Sequence, residues 1–300
     1  MIEITGISKS FDGIRALDNV TAQIKEGSVY GIVGTNGAGK STLLRVIAGI
    51  LKADSGSVRV DDMEVFENVQ AKERLCFIPD TPHYFANARV RDMLEYYEII
   101  YPSFQRSRFK ELCGKFELDL NRKLSTFSKG MKKQVFVLLG ICAGTRYLLC
   151  DETFDGLDPV VRQAVKSIFI DEVLNRQFTP IIASHNLREM EDICDHVGLL
   201  HKGGILFSRD LEDMKMDIHK VQYVIMNPAK EQQLMEELDI IKKDTRGNLS
   251  CITARGSKEH IMAAIEAKEP LFYEILPLSL EEIFISETEV VGYDIKDIIG

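Results

Sequence analysis

Short apolar runs that end in glycine, proline or acidic residues recur along the first two thirds of the chain. Val29–Val33 is one such run, and Gly34 follows it directly. Lys40–Ile50 then carries apolar residues at helical spacing. Ahead of this, residues 1–30 read as short strands broken at Asp12-Gly13 and Glu26-Gly27, with Phe11 in the first of these turns. Ala53–Gly56 reads as a turn and Ser57–Val60 as a strand. Leu75–Ile78 is a further strand, stopped by Pro79 and followed by Asp80. From about Phe85 to Gly144 the period becomes helical, over Val90–Tyr101 and Arg106–Phe116. Leu124–Gly130 interrupts it. A helix then runs from near Lys129 to Cys142, with Met131, Val135, Leu138 and Cys142 on one face and Ser128 placed to cap it.

Arg146–Thr153 is an apolar run ending in two acids, the pattern of a buried parallel strand with the acids at its carboxyl end. Asp158-Pro159 opens a helix, with Asp as cap and Pro at the first position. Ile181–Ser184 is another buried strand and ends in His185. Asn186–Asp195 reads as helical, and Val197–Ser208 as a hairpin through Lys202-Gly203-Gly204. Beyond about Met216 the order is strand (Val221–Met226), helix (Glu231–Leu238), strand (Ile240–Lys243), strand (Leu249–Thr253), helix (Lys258–Ala267) and strand (Leu271–Leu276). That β-α-β-β-α-β order suggests a small ferredoxin-like appendage. A short helix, Ser279–Ile285, and a tail follow. Neither internal repeats nor low-complexity tracts are visible in the sequence.

Three hundred residues with 45% hydrophobic content exceed one average domain and supply a substantial core. The net charge of −9 argues against a nucleic-acid partner, which usually meets a basic face. The six cysteines form no CxxC pair and several sit in apolar runs, so buried reduced thiols are expected. The first residues lack a basic stretch followed by an apolar run, so no secretory leader is expected. The longest apolar stretch, Val135–Gly144, is too short to cross a bilayer. If the protein works at a membrane, another chain has to supply the spans.

Gly34–Thr42, GTNGAGKST, is the stretch that carries chemistry most clearly. Gly34, Gly39, Lys40 and Ser41 fit the pattern G-x-x-x-x-G-K-[ST], between a strand and a helix. Glycines let successive backbone N–H groups turn inward and cradle phosphate oxygens, and the helix that starts near Lys40 points its positive end at them. Lys40 can reach β- and γ-phosphates, and Ser41 can offer its hydroxyl to Mg²⁺. At the end of Tyr147–Glu152, Asp151 fits a metal-holding acid and Glu152 a general base that polarises water. Phe127–Met131 places a serine and a glycine at a helix start. It fits either an ordinary cap or a second anion site. Phe154–Asp158 fits a plain loop into a helix. His185 at a strand end fits either a structural residue or a contact to the terminal phosphate or the attacking water.

Taken together, these stretches resemble the ATP-binding cassette family, in its transporter nucleotide-binding subunits. The resemblance covers about residues 1–215. It comprises a Walker A loop (Gly34–Thr42), a signature loop (Phe127–Met131), a Walker B strand with its glutamate (Tyr147–Glu152), a D-loop (Phe154–Asp158) and a switch histidine (His185), in the family's order. The FSKGM form of the signature resembles the subfamily whose permeases export substrates, and SLEEIFI at Ser279–Ile285 resembles the end of such subunits.

The implied fold is α/β, a P-loop NTPase with a parallel core sheet, an N-terminal antiparallel β subdomain and a helical subdomain at about 85–145. The implied division is a nucleotide-binding domain at 1–215 and a small α+β domain at 216–300. The implied cofactors are ATP and Mg²⁺. Gly34, Thr35, Asn36, Gly37, Ala38, Gly39, Lys40, Ser41 and Thr42 would bind nucleotide, with Phe11 stacking on adenine. Ser128, Gly130 and Asp158 would close over the nucleotide of a second subunit. Ser41, Asp80 and Asp151 would serve the metal. Glu152, His185 and Lys40 would carry catalysis.

The implied partners are a second ATP-binding subunit, expected to be a copy of this chain in a head-to-tail dimer, and a separate polytopic membrane permease. The protein would then sit on the cytoplasmic face of the membrane, held there by the permease. Four positions depart from the family pattern. Asp80 replaces a glutamine, Phe11 stands where tyrosine is common, and Lys129 and Met131 replace a glycine and a glutamine of the signature. The competing expectations are a soluble ATP switch acting on ribosomes or DNA, and a small-molecule P-loop kinase. The single cassette, the short gap between motifs and the acidic charge disfavour the first. The signature loop would be unexplained in the second.

Overall fold

The computed structural model describes residues 1–290. It divides into two compact units. The first comprises residues 1–186 and 193–208; the second comprises residues 187–192 and the described residues from Arg209 onward.

In the first unit, β1 (Ile2–Phe11) and β2 (Ile14–Ile24) pair antiparallel. Asp12 and Gly13 join them at φ 47° and 83°, the left-handed two-residue turn that matches strand twist. Residues 1–30 thus hold two long strands rather than several short ones. The reason is a continuous inward face: Ile2, Ile4, Ile7, Leu17, Val20 and Ile24 are all buried, and bulges absorb the irregular spacing. Phe11 is the last residue of β1, not part of the turn. The chain then enters β3 (Tyr30–Val33), a glycine loop, and α1 (Lys40–Ile47). Next come β4 (Ser55–Val60), β5 (Met63–Glu64), the short α2 (Val69–Lys72) and β6 (Leu75–Ile78). β1, β2, β4 and β5 form a four-stranded sheet in the order β2-β1-β4-β5.

Three helices follow: α3 (Val90–Ile100), α4 (Arg106–Lys115) and α5 (Lys129–Cys142). The pattern marks one apolar face on α5, but the structure buries this helix on all sides from Lys133 onward. Gly140 permits this, because a Cβ there would stand 2.6 Å from Ile78 Cδ1 in β6. After α5 come β7 (Tyr147–Asp151), α6 (Pro159–Arg176), β8 (Thr179–Ser184), α7 (Leu187–Glu191), β9 (His196–His201) and β10 (Gly204–Asp210). α7 ends earlier than the sequence pattern suggests. Asp195 is drawn to the start of β3 instead, where its Oδ2 accepts from Val29 N at 2.7 Å and its own N–H donates to Val29 O at 3.0 Å.

The central sheet has six strands in the order β10-β9-β3-β8-β7-β6. β3, β8, β9, β7 and β6 pair in parallel. Every residue of β3, β7 and β8 is buried, so these strands read as unbroken apolar runs. The register aligns Val33 with Ser184, Asp151 with Ala183, and Ile78 with Cys150. Residues 34, 185, 152 and 80 therefore leave the sheet along one carboxyl edge, the position where open α/β sheets bind ligands.

The second unit contains α8 (Leu211–Asp217), β11 (Ile218–Val224), α9 (Pro228–Glu237), β12 (Asp239–Arg246), β13 (Leu249–Arg255), α10 (Lys258–Glu266), β14 (Phe272–Leu276) and α11 (Leu280–Val290). Its four strands run in the order β12-β13-β11-β14, with every neighbouring pair antiparallel. Val221, Tyr223, Leu234, Ile252, Ile261 and Ile265 form its core. α7 belongs to this unit: Leu280 N donates to Glu191 Oε2 at 3.0 Å. The expected tail, as far as it concerns residues 291–300, lies outside the described residues. Among the described residues no helix is long and apolar enough to cross a membrane.

Cys76, Cys113, Cys142, Cys150 and Cys194 are buried, and burial pushes the thiols of Cys76, Cys113 and Cys142 up to about 12. Cys251 is half-buried and its thiol is raised by burial as well. A thiolate is the reactive form, so native protein at mildly alkaline pH should give one slowly reacting thiol with a chromogenic disulfide reagent. All six should react in denaturant. Rapid reaction of several thiols in native protein would contradict this packing.

Candidate active site

The glycine loop between β3 and α1 is shaped by what cannot carry a Cβ. A Cβ on Gly34 would lie 2.3 Å from Leu200 O, and one on Gly39, at φ 106°, would lie 2.4 Å from Ala16 O. Ala38 N donates to Thr35 O at 3.1 Å and closes the turn. Lys40 opens α1 with its side chain buried, folded back over the loop. Its ammonium donates to Gly34 O at 2.9 Å and Thr35 O at 3.2 Å. Carbonyl oxygens here stand in for an anion's oxygens, since both complete the shell of a buried cation.

Ser41 Oγ donates to Asp151 Oδ1 at 2.9 Å. Burial raises the Asp151 carboxyl above its ordinary value, and the Ser41 bond opposes that shift. The two oxygens sit together at the end of β7 and the start of α1, within reach of one small ion.

Glu152 is the hub of the site. Its Oε1 lies 3.3 Å from Lys40 Nζ, and its Oε2 lies 2.9 Å from His185 Nδ1. Its N–H donates to Ala183 O at 3.0 Å, which ties β7 to β8 one residue past the last pleat. Its φ is 47°, the left-handed region that costs a non-glycine residue energy and is concentrated at functional positions. That backbone turns the side chain away from the strand direction and toward His185. The histidine itself is exposed at the end of β8.

Asp80 lies two residues past β6 and joins the site through Lys133. Lys133 Nζ donates to Asp80 Oδ1 at 2.8 Å and to Glu152 O at 2.5 Å. Sequence reasoning passes over Lys133. It follows Lys129 and Lys132 in the polar first turns of α5, and nothing in that local pattern sets it apart from them.

Ser128, Gly130 and Asp158 form a separate group. Ser128 caps α5, its Oγ accepting from Met131 N at 3.2 Å. Asp158 caps α6, accepting from Val160 N at 3.1 Å and Val161 N at 3.0 Å. Gly130 sits hard against the loop before α6, where a Cβ would stand 2.4 Å from Gly156 O. Phe11 stands apart from both groups at the end of β1, with 42% of its surface exposed and Lys9 Nζ 5.5 Å from its ring centre. Lys40, Ser41, Asp151, Glu152 and His185 are thus brought into one connected cluster, with Asp80 linked to it by Lys133.

Comparison with known proteins follows the same lines. The family model described as ABC transporter matches residues 17–155. The ABC transporter ATP-binding protein YtrB of Bacillus subtilis (strain 168) is 30% identical over 287 residues, covering 96% of this chain and 98% of that one. The bacitracin transport ATP-binding protein BcrA of Bacillus licheniformis is 27% identical over 241 residues, 79% of each chain. Among solved structures, one described as the ATP binding subunit of an ABC transporter superposes with a TM-score of 0.67 at 24% identity, covering 72% of this chain and 92% of that one. The dimeric post-hydrolysis ATP-binding cassette MJ0796 bound to ADP and Pi superposes with a TM-score of 0.64 at 20% identity, covering 70% of this chain and 99% of that one. The last two likenesses establish the fold, a P-loop NTPase. The match to YtrB spans both chains almost from end to end, and with it the chain belongs to the ABC transporter family as an ATP-binding, ATP-hydrolysing subunit.

Proposed function

We propose that this subunit dimerises head to tail around two ATP molecules and drives a separate membrane permease that exports its cargo. The observation that carries the reading is the placement of Glu152 between Lys40 and His185. A carboxylate so held can accept a proton from water at a phosphate lying in the glycine loop. Lys40 would exchange the carbonyls of Gly34 and Thr35 for phosphate oxygens. His185 would hold the carboxylate in place during attack.

Ser41 and Asp151 fit Mg²⁺, which commonly takes one or two protein oxygens and completes its shell with phosphates and water. Among the described residues no group of three or more His, Cys, Asp or Glu could hold a metal alone, in keeping with an ion shared with nucleotide. When bound, the ion would neutralise charge on the phosphates. Lys133 holds Asp80 Oδ1, which leaves Oδ2 as the oxygen Asp80 could offer an ion.

Ser128 and Gly130 at the start of α5 and Asp158 at the start of α6 form the group that would meet the partner subunit's nucleotide. Two observations support this. The residues lie outside the Lys40 cluster, and one cassette supplies one copy of each. Export is supported by the FSKGM form of the signature. The permease would hold the subunit at the cytoplasmic face of the membrane. The second unit reads as the ferredoxin-like appendage on its strand order β12-β13-β11-β14.

Two experiments test this. Glu152→Gln keeps the size and shape of the side chain and one acceptor oxygen but removes the base. It should elute as a dimer on a sizing column with millimolar ATP and Mg²⁺, and as a monomer without them. A monomer under both conditions sinks the sandwich reading. Separately, tagged protein drawn from detergent-solubilised membranes should bring a polytopic membrane protein in near one-to-one ratio. Recovery with ribosomal proteins and no membrane protein would favour the soluble-switch alternative.

A further inference from the structure

Lys133 is 1% exposed, at the point where α5 passes from its polar first turn to the buried run Val135–Cys142. A buried ammonium needs a full set of oxygen partners and a compensating charge. It finds them across the sheet edge. Asp80 Oδ1 is 2.8 Å away and the Glu152 carbonyl 2.5 Å, with Asp155 Oδ2 at 4.0 Å. Lys129, one turn earlier on α5, reaches the same two carboxylates, at 3.9 Å to Asp80 and 3.6 Å to Asp155.

The consequence falls on Glu152. Its backbone is held on both sides of Cα, by Ala183 O at its N–H and by the Lys133 ammonium at its carbonyl. A left-handed conformation at a glutamate persists only where its surroundings impose it. Those two bonds hold it, together with Asp155 N, which donates to the same carbonyl at 3.3 Å, and the carboxylate so held lies against Lys40 and His185. The charge that keeps the Lys133 ammonium in place belongs to Asp80, at the start of the segment leading from β6 to α3. An ammonium that is buried this deeply cannot be left behind by its carboxylate at small cost, so the two move together.

We propose that Lys133 is a positioning residue for the hydrolytic step, tying the Glu152 backbone to Asp80 so that the segment after β6 sets the aim of the Glu152 carboxylate. On this view Asp80 acts through Lys133 and not as a metal ligand. The inference rests on the reading of Glu152 as the base.

The test uses the full chain. Steady-state ATP hydrolysis is measured beside ATP affinity by equilibrium dialysis, for Lys133→Met, Asp80→Asn and the double variant. In Lys133→Met, kcat should fall about tenfold or more while ATP affinity stays within about threefold, because only the aim of a reacting group is lost. Asp80→Asn should lower kcat with the Mg²⁺ concentration for half-maximal rate moving by less than about twofold. The double variant should fall no further than Lys133→Met, since Asp80 works through the residue already removed. Should Lys133→Met fail to fold, Asp80→Asn with its Mg²⁺ dependence carries the test alone.

Wild-type kcat in Lys133→Met overturns the proposal. So do losses that add in the double variant, and so does Asp80→Asn with an unchanged kcat at saturating Mg²⁺ but a tenfold higher Mg²⁺ requirement. Glu152→Gln is run alongside. Full hydrolysis by that variant would sink the reading of Glu152 itself. An inactive Glu152→Gln beside a fully active Lys133→Met would sink the clamp alone.

Discussion

Removing an ammonium from water costs several kcal/mol unless oxygen atoms replace its hydration shell. At the carboxyl edge of the central sheet this chain buries two, Lys40 and Lys133, and both are satisfied by the same residue. Lys40 takes one carboxylate oxygen of Glu152, together with two carbonyls of its own loop. Lys133 takes the Glu152 carbonyl, together with Asp80. Glu152 is therefore held at its side chain by the Lys40 cation and at its backbone by the Lys133 cation. Displacing it would leave two buried charges short of partners, a cost well beyond that of one left-handed backbone angle.

That constraint reaches back into the sheet. Lys40 approaches from the helix after β3, Lys133 from the helix before β7, Asp80 from beyond β6 and His185 from beyond β8. They converge only because the four strands end in register. A shift of one residue in a parallel strand would exchange its inward and outward faces and move its terminal residue by about 3.3 Å. Full burial of β3, β7 and β8 on both faces holds the register, and close approach of α5 at Gly140 holds β6 and β7 beneath it.

Much of this edge is legible in the sequence for the same reason. Strands covered on both faces appear as plain apolar runs, and Val29–Val33, Leu75–Ile78, Tyr147–Asp151 and Ile181–Ser184 stand out accordingly. The glycine loop and the acids after β7 are legible because their chemistry demands particular residues at fixed spacing. The six elements from β11 to β14 also occur in the order that their patterns indicate. What stays hidden is set by distant partners. The Lys133–Asp80 pair spans 53 residues of sequence and no local pattern announces it. The length of β1 and β2 depends on bulges, and the early end of α7 on a carboxylate, Asp195, reaching for the start of β3. α5 shows a one-sided stripe, although the fold covers it on all sides from Lys133 onward, with α3, α4 and the sheet.

The two lysines also differ in what can release them. The partners of Lys40 are two backbone carbonyls and one carboxylate oxygen, all of which a phosphate group can replace with stronger, fully charged acceptors. The partners of Lys133 are the Asp80 carboxylate and the Glu152 carbonyl, with Asp155 Oδ2 at 4.0 Å, none of them part of the glycine loop. On the proposed reading, Lys40 turns to phosphate and gives up Glu152 Oε1, which is then free to accept from water. Oε2 stays on His185, and the carbonyl stays on Lys133. Nucleotide binding thus frees one oxygen of the base without loosening the backbone that aims it. A site with one exchangeable cation and one fixed cation can bind and react without remaking its own geometry at each turnover.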